Sequence, residues 1–230
     1  MHYLVTGGAG FIGSHIAEAL LKRGDQPVIL DNMYSGRKEN LEANQKAIFI
    51  EGSIMDTTLL DEICTKYNIN GIFHLAAVAS VQKSIENPAH VHEINATGTL
   101  NILEAARKHN IRKVVLSASA AAYGDNPVFP KKEDMRAEPL SPYAVSKIAG
   151  EMYCKTHAEL HGIQTSLNDL AEMIMQAAGK TVAMHYEKAR DGDVRYSVAD
   201  ISKAKEQLGY EPEFDLAEGI KETFAYFNSL

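Results

Sequence analysis

Gly-Gly-Ala-Gly-Phe-Ile-Gly, residues 7–13, follows a short apolar run at residues 3–6 and opens a pattern of helical period. Glycines at every third position let bare backbone approach a pyrophosphate beside a helix N-terminus. A second apolar run ends at Asp31, whose carboxylate can accept hydrogen bonds from the ribose hydroxyls of an adenine dinucleotide. An acid there also repels a 2'-phosphate, and the nearest base, Arg37, lies further along a loop. The pattern therefore predicts binding of NAD rather than NADP.

Outward from this loop, short β-rich apolar runs alternate with longer stretches of helical period. Such alternation is typical of an α/β protein with a doubly wound parallel sheet of Rossmann type, which binds ligands at the carboxyl ends of its strands. In the first helix, Ile12, Ile16 and Ala19 share the face that we expect to be buried. We predict strands at residues 3–6, 27–30, 47–50, 71–75 and 113–117, and long helices at about 89–108 and 142–161.

The composition narrows the class of protein. The chain has 230 residues and a net charge of -7, without a basic run, so we expect no nucleic-acid partner. No apolar run approaches membrane-spanning length and no leader precedes the first strand, so we expect no membrane partner and a cytoplasmic location. Cys64 and Cys154 are expected to be reduced thiols. His157 and His161 share a helix face, but no third ligand accompanies them, and we expect no metal.

A candidate catalytic pair lies at the start of the later long helix. Tyr143 and Lys147 are spaced i, i+4, so both project from one face, and a lysine cation there lowers the pKa of the neighbouring phenol. Tyr143 is then a plausible general base. Ser119 follows the fifth strand at the sheet edge where the nicotinamide should lie, so it can hydrogen-bond the same substrate oxygen.

Together these motifs resemble the extended short-chain dehydrogenase/reductase family, and within it the nucleoside-diphosphate-sugar 4-epimerases. The resemblance runs almost from end to end: residues 7–13, Asp31-Asn32, His74-Leu75-Ala76-Ala77, residues 80–83, 95–99, 119–124 and 141–147, and Arg190-Asp191-Gly192-Asp193. It implies that Ser119, Tyr143 and Lys147 are catalytic. It also implies that NAD is contacted by Gly7, Gly10, Phe11, Ile12, Gly13, Asp31, Asn32, Ser35, Gly36, Ser53, Ile54, Leu75, Ala76, Ala77, Lys83, Asn95, Tyr143 and Lys147.

The residues after Ser119 separate the reactions of this family. Related dehydratases and decarboxylases need an added acid there, whereas this chain has Ala120 and Ala121, whose methyl groups can neither donate nor accept a proton. The resemblance thus implies epimerisation at C4 of a UDP-sugar, of the UDP-glucose/UDP-galactose type, through a 4-keto intermediate. It further implies that Arg190 binds the substrate diphosphate and Asp193 its ribose, beside Ser119 and Tyr143 at the sugar.

The substrate-binding part of the chain is shorter than the resemblance requires. We predict an NAD-binding domain at residues 1–167 and a small, incomplete substrate lobe at 168–230, with a segment missing between about 163 and 168 and a helix starting there. Two alternatives stay open: another NAD-dependent sugar-nucleotide oxidoreductase, or a non-catalytic NAD-binding scaffold. By resemblance, the helices that begin near Ala89 and Pro142 should form a homodimer.

Overall fold

One parallel sheet organises the part of the chain that the computed structural model describes, which comprises residues 1–168, 199–208 and 210. The strand order is β3-β2-β1-β4-β5-β6. The predicted doubly wound, Rossmann-type sheet is confirmed, and its order reverses between β1 and β4, where such sheets bind ligands. The strands are β1 (His2–Thr6), β2 (Gln26–Asp31), β3 (Ile48–Glu51), β4 (Gly71–His74), β5 (Lys113–Ser117) and β6 (Gln164–Asn168).

Helices connect the strands, and several begin at a residue whose side chain caps them. Asp56 accepts a hydrogen bond from the amide of Leu59, and Ser80 from that of Lys83, so each supplies a first-turn amide with the acceptor that it lacks inside the helix. The helices are α1 (Phe11–Lys22), α2 (Lys38–Glu42), α3 (Thr57–Tyr67), α4 (Val81–Glu86), α5 (Pro88–His92), α6 (Gly98–Lys108), α7 (Pro142–His161) and α8 (Ser202–Leu208). A π-helical turn (Glu93–Thr97) joins α5 to α6, and a 3-10 turn (Ala120–Tyr123) follows β5.

The main hydrophobic core lies between the sheet and helices α3, α6 and α7. Its residues alternate along each strand, and the positions between them, such as Val5 and Ile29, are also buried, as expected for parallel strands that are covered by helices on both faces. Burial of such side chains is the dominant favourable contribution to folding. The core includes Leu4, Val28, Leu30, Leu60, Ile63, Ile72, Ile102, Leu103, Val114, Leu116, Cys154 and Ile163.

The described residues fall into two compact units. The first comprises Met1–Ala118 and Pro142–Asn168, and the second comprises Ser119–Ser141 with the described residues after 198. Within the second unit, the buried Lys131 ammonium donates to the carbonyls of Asn126 and Val128, while Asp200 N donates to Lys131 O at 2.7 Å. No described helix has the length and hydropathy needed to cross a membrane.

Two local predictions were wrong. Residues 165–168 do not begin a helix, because 164–168 pair with the whole length of β5, from Lys113 opposite Gln164 to Ser117 opposite Asn168. Such pairing outweighs local preference, since it satisfies backbone groups along the strand. Helix α1 also buries another face than expected: Gly13, Ser14, Ala17 and Leu20 are buried, whereas Ala19 is exposed. The remainder of the helix expected to start near residue 168 lies outside the described residues.

Candidate active site

The glycine-rich loop forms a tight turn between β1 and α1. Gly7 has φ 71°, a left-handed conformation that favours glycine. A Cβ on Gly13 would lie 2.3 Å from the carbonyl oxygen of Gly7, closer than two such atoms can approach. Helix α1 starts after Gly10 with neither a side-chain cap nor an acidic residue in its first turn. The first-turn amides and the positive end of the helix dipole therefore form a cradle suited to a pyrophosphate.

Asp31 ends β2 and braces this cradle. Its Oδ2 accepts a hydrogen bond from Ala9 N at 3.0 Å, and its Oδ1 accepts one from Met33 N at 2.8 Å. Gly36 packs against the same place, since a Cβ there would lie 2.7 Å from the Cβ of Ala9. Each carboxylate oxygen has a second lone pair, so Asp31 can brace the loop and still accept a ribose hydroxyl.

The other residues expected to contact NAD follow the neighbouring strands. Because parallel strands point the same way, the residues after their carboxyl ends lie along one edge of the sheet. Ser53 and Ile54 follow β3, and residues 75–77 follow β4. The side chain of Asn95, by contrast, is engaged within the protein, where Oδ1 accepts from Val78 N at 2.8 Å. These contacts with NAD stay predictions.

Lys83 contacts a tyrosine that the sequence motifs did not single out. From α4, its ammonium donates a hydrogen bond to Tyr34 Oη at 2.7 Å and lies 4.5 Å from the centre of the tyrosine ring. Tyr34 lies in the loop after β2, near the predicted contacts Asn32, Ser35 and Gly36. A cation on an aromatic face is attracted by the ring quadrupole. Only the fold reveals this pair, since the two residues are far apart in sequence.

Burial strongly disfavours the charged form of Lys147. It lies in the second turn of α7 with 7% of its surface exposed, and burial lowers the pKa of its ammonium to about 8, although Glu151 and Cys154 oppose the shift. Tyr143, one turn earlier, is partly exposed. The helix thus carries a partly exposed phenol and a buried amine on one face, the spacing that the sequence predicted.

Ser119 belongs to the second unit, whereas Tyr143 and Lys147 belong to the first. Ser119 precedes the 3-10 turn, and its Oγ accepts a hydrogen bond from Ala121 N at 3.2 Å. That turn contains both Ala120 and Ala121, so the methyl groups directly follow the serine. Arg190 and Asp193 lie outside the described residues.

The histidines and cysteines that the sequence analysis considered lie in other surroundings. No cluster of three or more potential metal ligands occurs among the residues that the structure describes. His157 instead contacts Glu104 Oε1 at 2.9 Å through Nε2 and Tyr153 O at 2.9 Å through Nδ1. Burial raises the pKa of the Cys64 thiol to about 11 and that of Cys154 to about 12, so neither is a reactive thiolate at neutral pH.

Comparison with protein families gives two matches. The sequence profile of the NAD dependent epimerase/dehydratase family matches residues 3–179, and that of GDP-mannose 4,6 dehydratase matches residues 164–223. A putative UDP-glucose 4-epimerase from Methanocaldococcus jannaschii is 33% identical, with 95% of each chain covered. That alignment extends over 295 positions although this chain has 230 residues, so many residues of the relative have no counterpart here.

Solved structures of UDP-glucose 4-epimerases are also similar to this chain. The UDP-glucose 4-epimerase of Thermotoga maritima with UDP-glucose superposes with a TM-score of 0.88 at 30% identity, and 100% of this chain and 99% of that chain are covered. The UDP-glucose 4-epimerase of Thermus thermophilus in complex with NAD has a TM-score of 0.68 at 38% identity, with 72% of this chain and 53% of that chain covered.

Proposed function

This chain belongs to the NAD dependent epimerase/dehydratase family, and we propose that it interconverts the C4 epimers of a UDP-sugar of the UDP-glucose/UDP-galactose type. It is an NAD-dependent enzyme, in agreement with the resemblance that its motifs carry. The observation that carries the proposal is the start of α7, where Tyr143 stands one turn before a buried lysine.

The residues of the cradle fit NAD. The uncapped start of α1 can receive the pyrophosphate, the absence of a Cβ at Gly13 keeps the loop closed against the helix, and Asp31 can hold the adenine ribose. When bound, NAD supplies the reversible hydride acceptor that chemistry at C4 requires. Tyr34 follows Asp31 in the loop after β2, and it accepts a hydrogen bond from Lys83 of α4.

The protein's own residues then handle the proton. Tyr143 removes the proton of the sugar 4-OH while the C4 hydride leaves, and Ser119 donates a hydrogen bond to the same oxygen. The Lys147 cation, one helical turn away, stabilises the negative charge that Tyr143 carries when it acts as the base. After the 4-keto sugar has turned over, hydride returns to its other face and Tyr143 returns the proton. The hydride acceptor is regenerated in each turnover, so tight retention of NAD is expected.

Epimerisation is favoured over dehydration by the turn after β5. Elimination of water needs a proton donor and a base in addition to Tyr143 and Lys147. Ala120 and Ala121 occupy the positions that would have to provide them. The match of residues 164–223 to a dehydratase profile concerns a later part of the chain and adds no such group to this turn.

Arg190 and Asp193 are proposed to bind the nucleotide of the substrate. A guanidinium suits a diphosphate through paired hydrogen bonds, and a carboxylate suits the uridine ribose. Both residues are proposed from the sequence motif. Substituting Arg190 by Lys keeps the charge but removes the planar pair of donors, so it should raise KM for the UDP-sugar without releasing NAD.

Lys147 distinguishes an enzyme from a scaffold that only binds NAD. Burial of its ammonium lowers the pKa to about 8, so at neutral pH the folded protein holds a cation that would be better solvated in water. A scaffold would gain stability by replacing it, whereas a catalyst needs the charge beside Tyr143. The residues of the relative that have no counterpart in this chain are the observation that favours the scaffold, and NAD binding without turnover is its signature.

Assembly and location form part of the proposal. Helix α7 exposes apolar side chains on one face, with 54% of Met152 and 70% of Leu160 accessible, besides Val145 and Tyr153. Such a stripe on a helix supports a homodimer formed by α7 and the helical run that begins near Ala89. A cytoplasmic location is supported by two buried free cysteines, Cys64 and Cys154, since reducing compartments keep thiols unpaired.

Incubation of the purified protein with UDP-galactose and NAD tests the function. The proposal expects UDP-glucose to form until both epimers reach equilibrium, without net NADH. Tyr143→Phe keeps the ring but removes the proton acceptor, so it should slow the reaction by about 10²–10⁴-fold while NAD stays bound. The proposal is overturned if neither UDP-galactose nor its N-acetylated and uronic relatives yield a 4-epimer.

A further inference from the structure

A buried histidine links the start of the cofactor cradle to the catalytic helix. His74, the last residue of β4, has Nδ1 2.7 Å from Thr6 Oγ1 and Nε2 3.1 Å from Thr99 Oγ1. We propose that His74 is the centre of a hydrogen-bonded chain that positions the first turn of α7, and with it Tyr143, relative to the glycine-rich loop. The inference rests on the proposed function, which gives Tyr143 its catalytic role.

In the first half of this hydrogen-bonded chain, from Thr6 to Asn95, the donor and the acceptor of every hydrogen bond are determined. Thr99 Oγ1 donates to the carbonyl oxygen of Asn95 at 2.6 Å, because a carbonyl can only accept. Its hydrogen is thereby used, so His74 Nε2 must donate to Thr99. His74 Nδ1 then accepts from Thr6, whose oxygen in turn accepts from Ala76 N at 3.3 Å. The histidine tautomer that is protonated at Nε2 therefore satisfies the hydrogen bonds of Thr6, His74, Thr99 and the Asn95 carbonyl.

Burial protects this arrangement from water. His74 is 2% exposed, and burial together with the nearby Lys147 charge lowers the pKa of its imidazole to about 3. The ring is therefore neutral at neutral pH, and the tautomer is retained. The other side chains in this hydrogen-bonded chain are also buried: the exposed fraction is 0% for Thr6 and Ser146 and 3% for Thr99 and Asn95.

The second half of this hydrogen-bonded chain connects the π-helical turn to α7. Asn95 lies in that turn (Glu93–Thr97), and its Nδ2 donates to Ser146 Oγ at 3.0 Å. Ser146 Oγ donates in turn to the carbonyl oxygen of Tyr143 at 2.7 Å. The same Asn95 amide holds both backbone groups of Val78, after β4, through bonds of 2.8 and 3.3 Å. The chain therefore ends on the backbone of the residue that carries the base.

Loss of any of these hydrogen bonds should displace Tyr143 and so lower kcat, rather than weaken binding of the UDP-sugar. Ser146 directly precedes Lys147, so the bond from Asn95 holds the turn that carries both the base and its cation. A displacement of about 1 Å at a reacting group can reduce a rate by about 100-fold. His74, Thr99, Asn95 and Ser146 are thus positioning residues, and none is proposed to touch the sugar through this chain.

The test uses matched variants of the full-length protein with bound NAD. Thr99→Val removes the hydroxyl that joins His74 to Asn95, and Thr99→Ser restores it. Ser146→Ala removes the last link. Ser84→Ala is the control, since the Ser84 hydroxyl is likewise buried and donates to a carbonyl three residues earlier, that of Val81, at 2.6 Å.

Steady-state kinetics with UDP-galactose give the first result. We expect Thr99→Val and Ser146→Ala to lower kcat on the order of 10- to 100-fold. KM should change by less than about threefold. Thr99→Ser should recover most of the rate, and Ser84→Ala should match the wild type. Equal losses in all variants, or a loss confined to KM, overturn the inference.

A measurement that needs no turnover separates this inference from the proposed function. In protein labelled with 13C at the tyrosine Cζ, the Tyr143 resonance is identified by its absence in Tyr143→Phe. It should move in Thr99→Val and Ser146→Ala but stay in place in Ser84→Ala. An inactive wild type that shows these shifts contradicts the proposed function alone, whereas an unmoved Tyr143 resonance in a folded Ser146→Ala variant overturns the positioning chain.

Discussion

Replacing Lys147 by Met should abolish epimerisation and yet make the protein more stable at neutral pH. The side chain is almost wholly buried, and methionine can fill a similar space without a charge. The pKa of the ammonium falls from 10.5 to about 8 because burial disfavours the cation. At about 1.4 kcal/mol for each pKa unit, this corresponds to about 3 kcal/mol that the folded wild-type protein loses when Lys147 is charged.

The advantage of the variant should depend on pH. Below pH 8, Lys147 is protonated in both the folded and the unfolded wild-type protein, so the full cost is present. Between pH 8 and 10.5 the unfolded state binds more protons than the folded state, so the stability of the wild type rises with pH. Lys147→Met should therefore be up to about 3 kcal/mol more stable at pH 7, and the difference should fall towards zero as the pH approaches 10.5.

Urea unfolding of both proteins without NAD, at pH 7 and pH 10, measures the difference directly. Removing NAD from both samples matters, because a ligand that binds the folded state raises the apparent stability. If the variant is less stable than the wild type at pH 7, or more stable by the same amount at both pH values, then the buried Lys147 cation does not destabilise the folded protein.

Three further predictions concern the cofactor cradle and the helix surface. Gly13→Ala places a Cβ 2.3 Å from Gly7 O, so the purified variant should carry little NAD; retention of wild-type NAD content contradicts the proposed cradle. Tyr34→Phe removes the 2.7 Å hydrogen bond from Lys83 but keeps the ring under the cation, so NAD should dissociate only a few times faster, and Tyr34→Ala should release it faster still. Equal release from wild type and both variants excludes a role at the cofactor. Met152→Glu places a charge on the apolar face of α7 and should yield monomers by light scattering; a wild-type protein that is already monomeric excludes the dimer.

The strands could be predicted from the sequence because buried parallel strands are nearly continuous apolar runs. The observed bounds lie within two residues of the expected ones for β1 to β5. The end of β6 was missed because its pairing with β5 depends on a strand far away in the chain. The buried face of α1 was missed because it includes Gly13 and Ser14, to which a count of apolar residues gives no weight; Gly13 lies against Gly7 and Gly8.

The local placement of the candidate residues could be predicted where it follows a local motif, as for the tight glycine-rich turn, Asp31 at the end of β2, and Tyr143 and Lys147 on one face of α7. Contacts between distant residues could not be predicted. The pair of Tyr34 and Lys83 and the chain through His74 join segments that meet only after the sheet has formed. The π-helical turn within the helix expected at 89–108 belongs to the same class, since Asn95 is held there by residue 78.

In the proposed reaction, hydride leaves C4 and returns to the same carbon on the same enzyme. UDP-galactose with deuterium at C4 tests it most directly, by mass spectrometry and NMR of the UDP-glucose formed. We expect the product to keep its deuterium at C4, no deuterium to appear in the solvent, and NADH not to accumulate. UDP-glucose with hydrogen at C4, or stoichiometric formation of NADH, would contradict it.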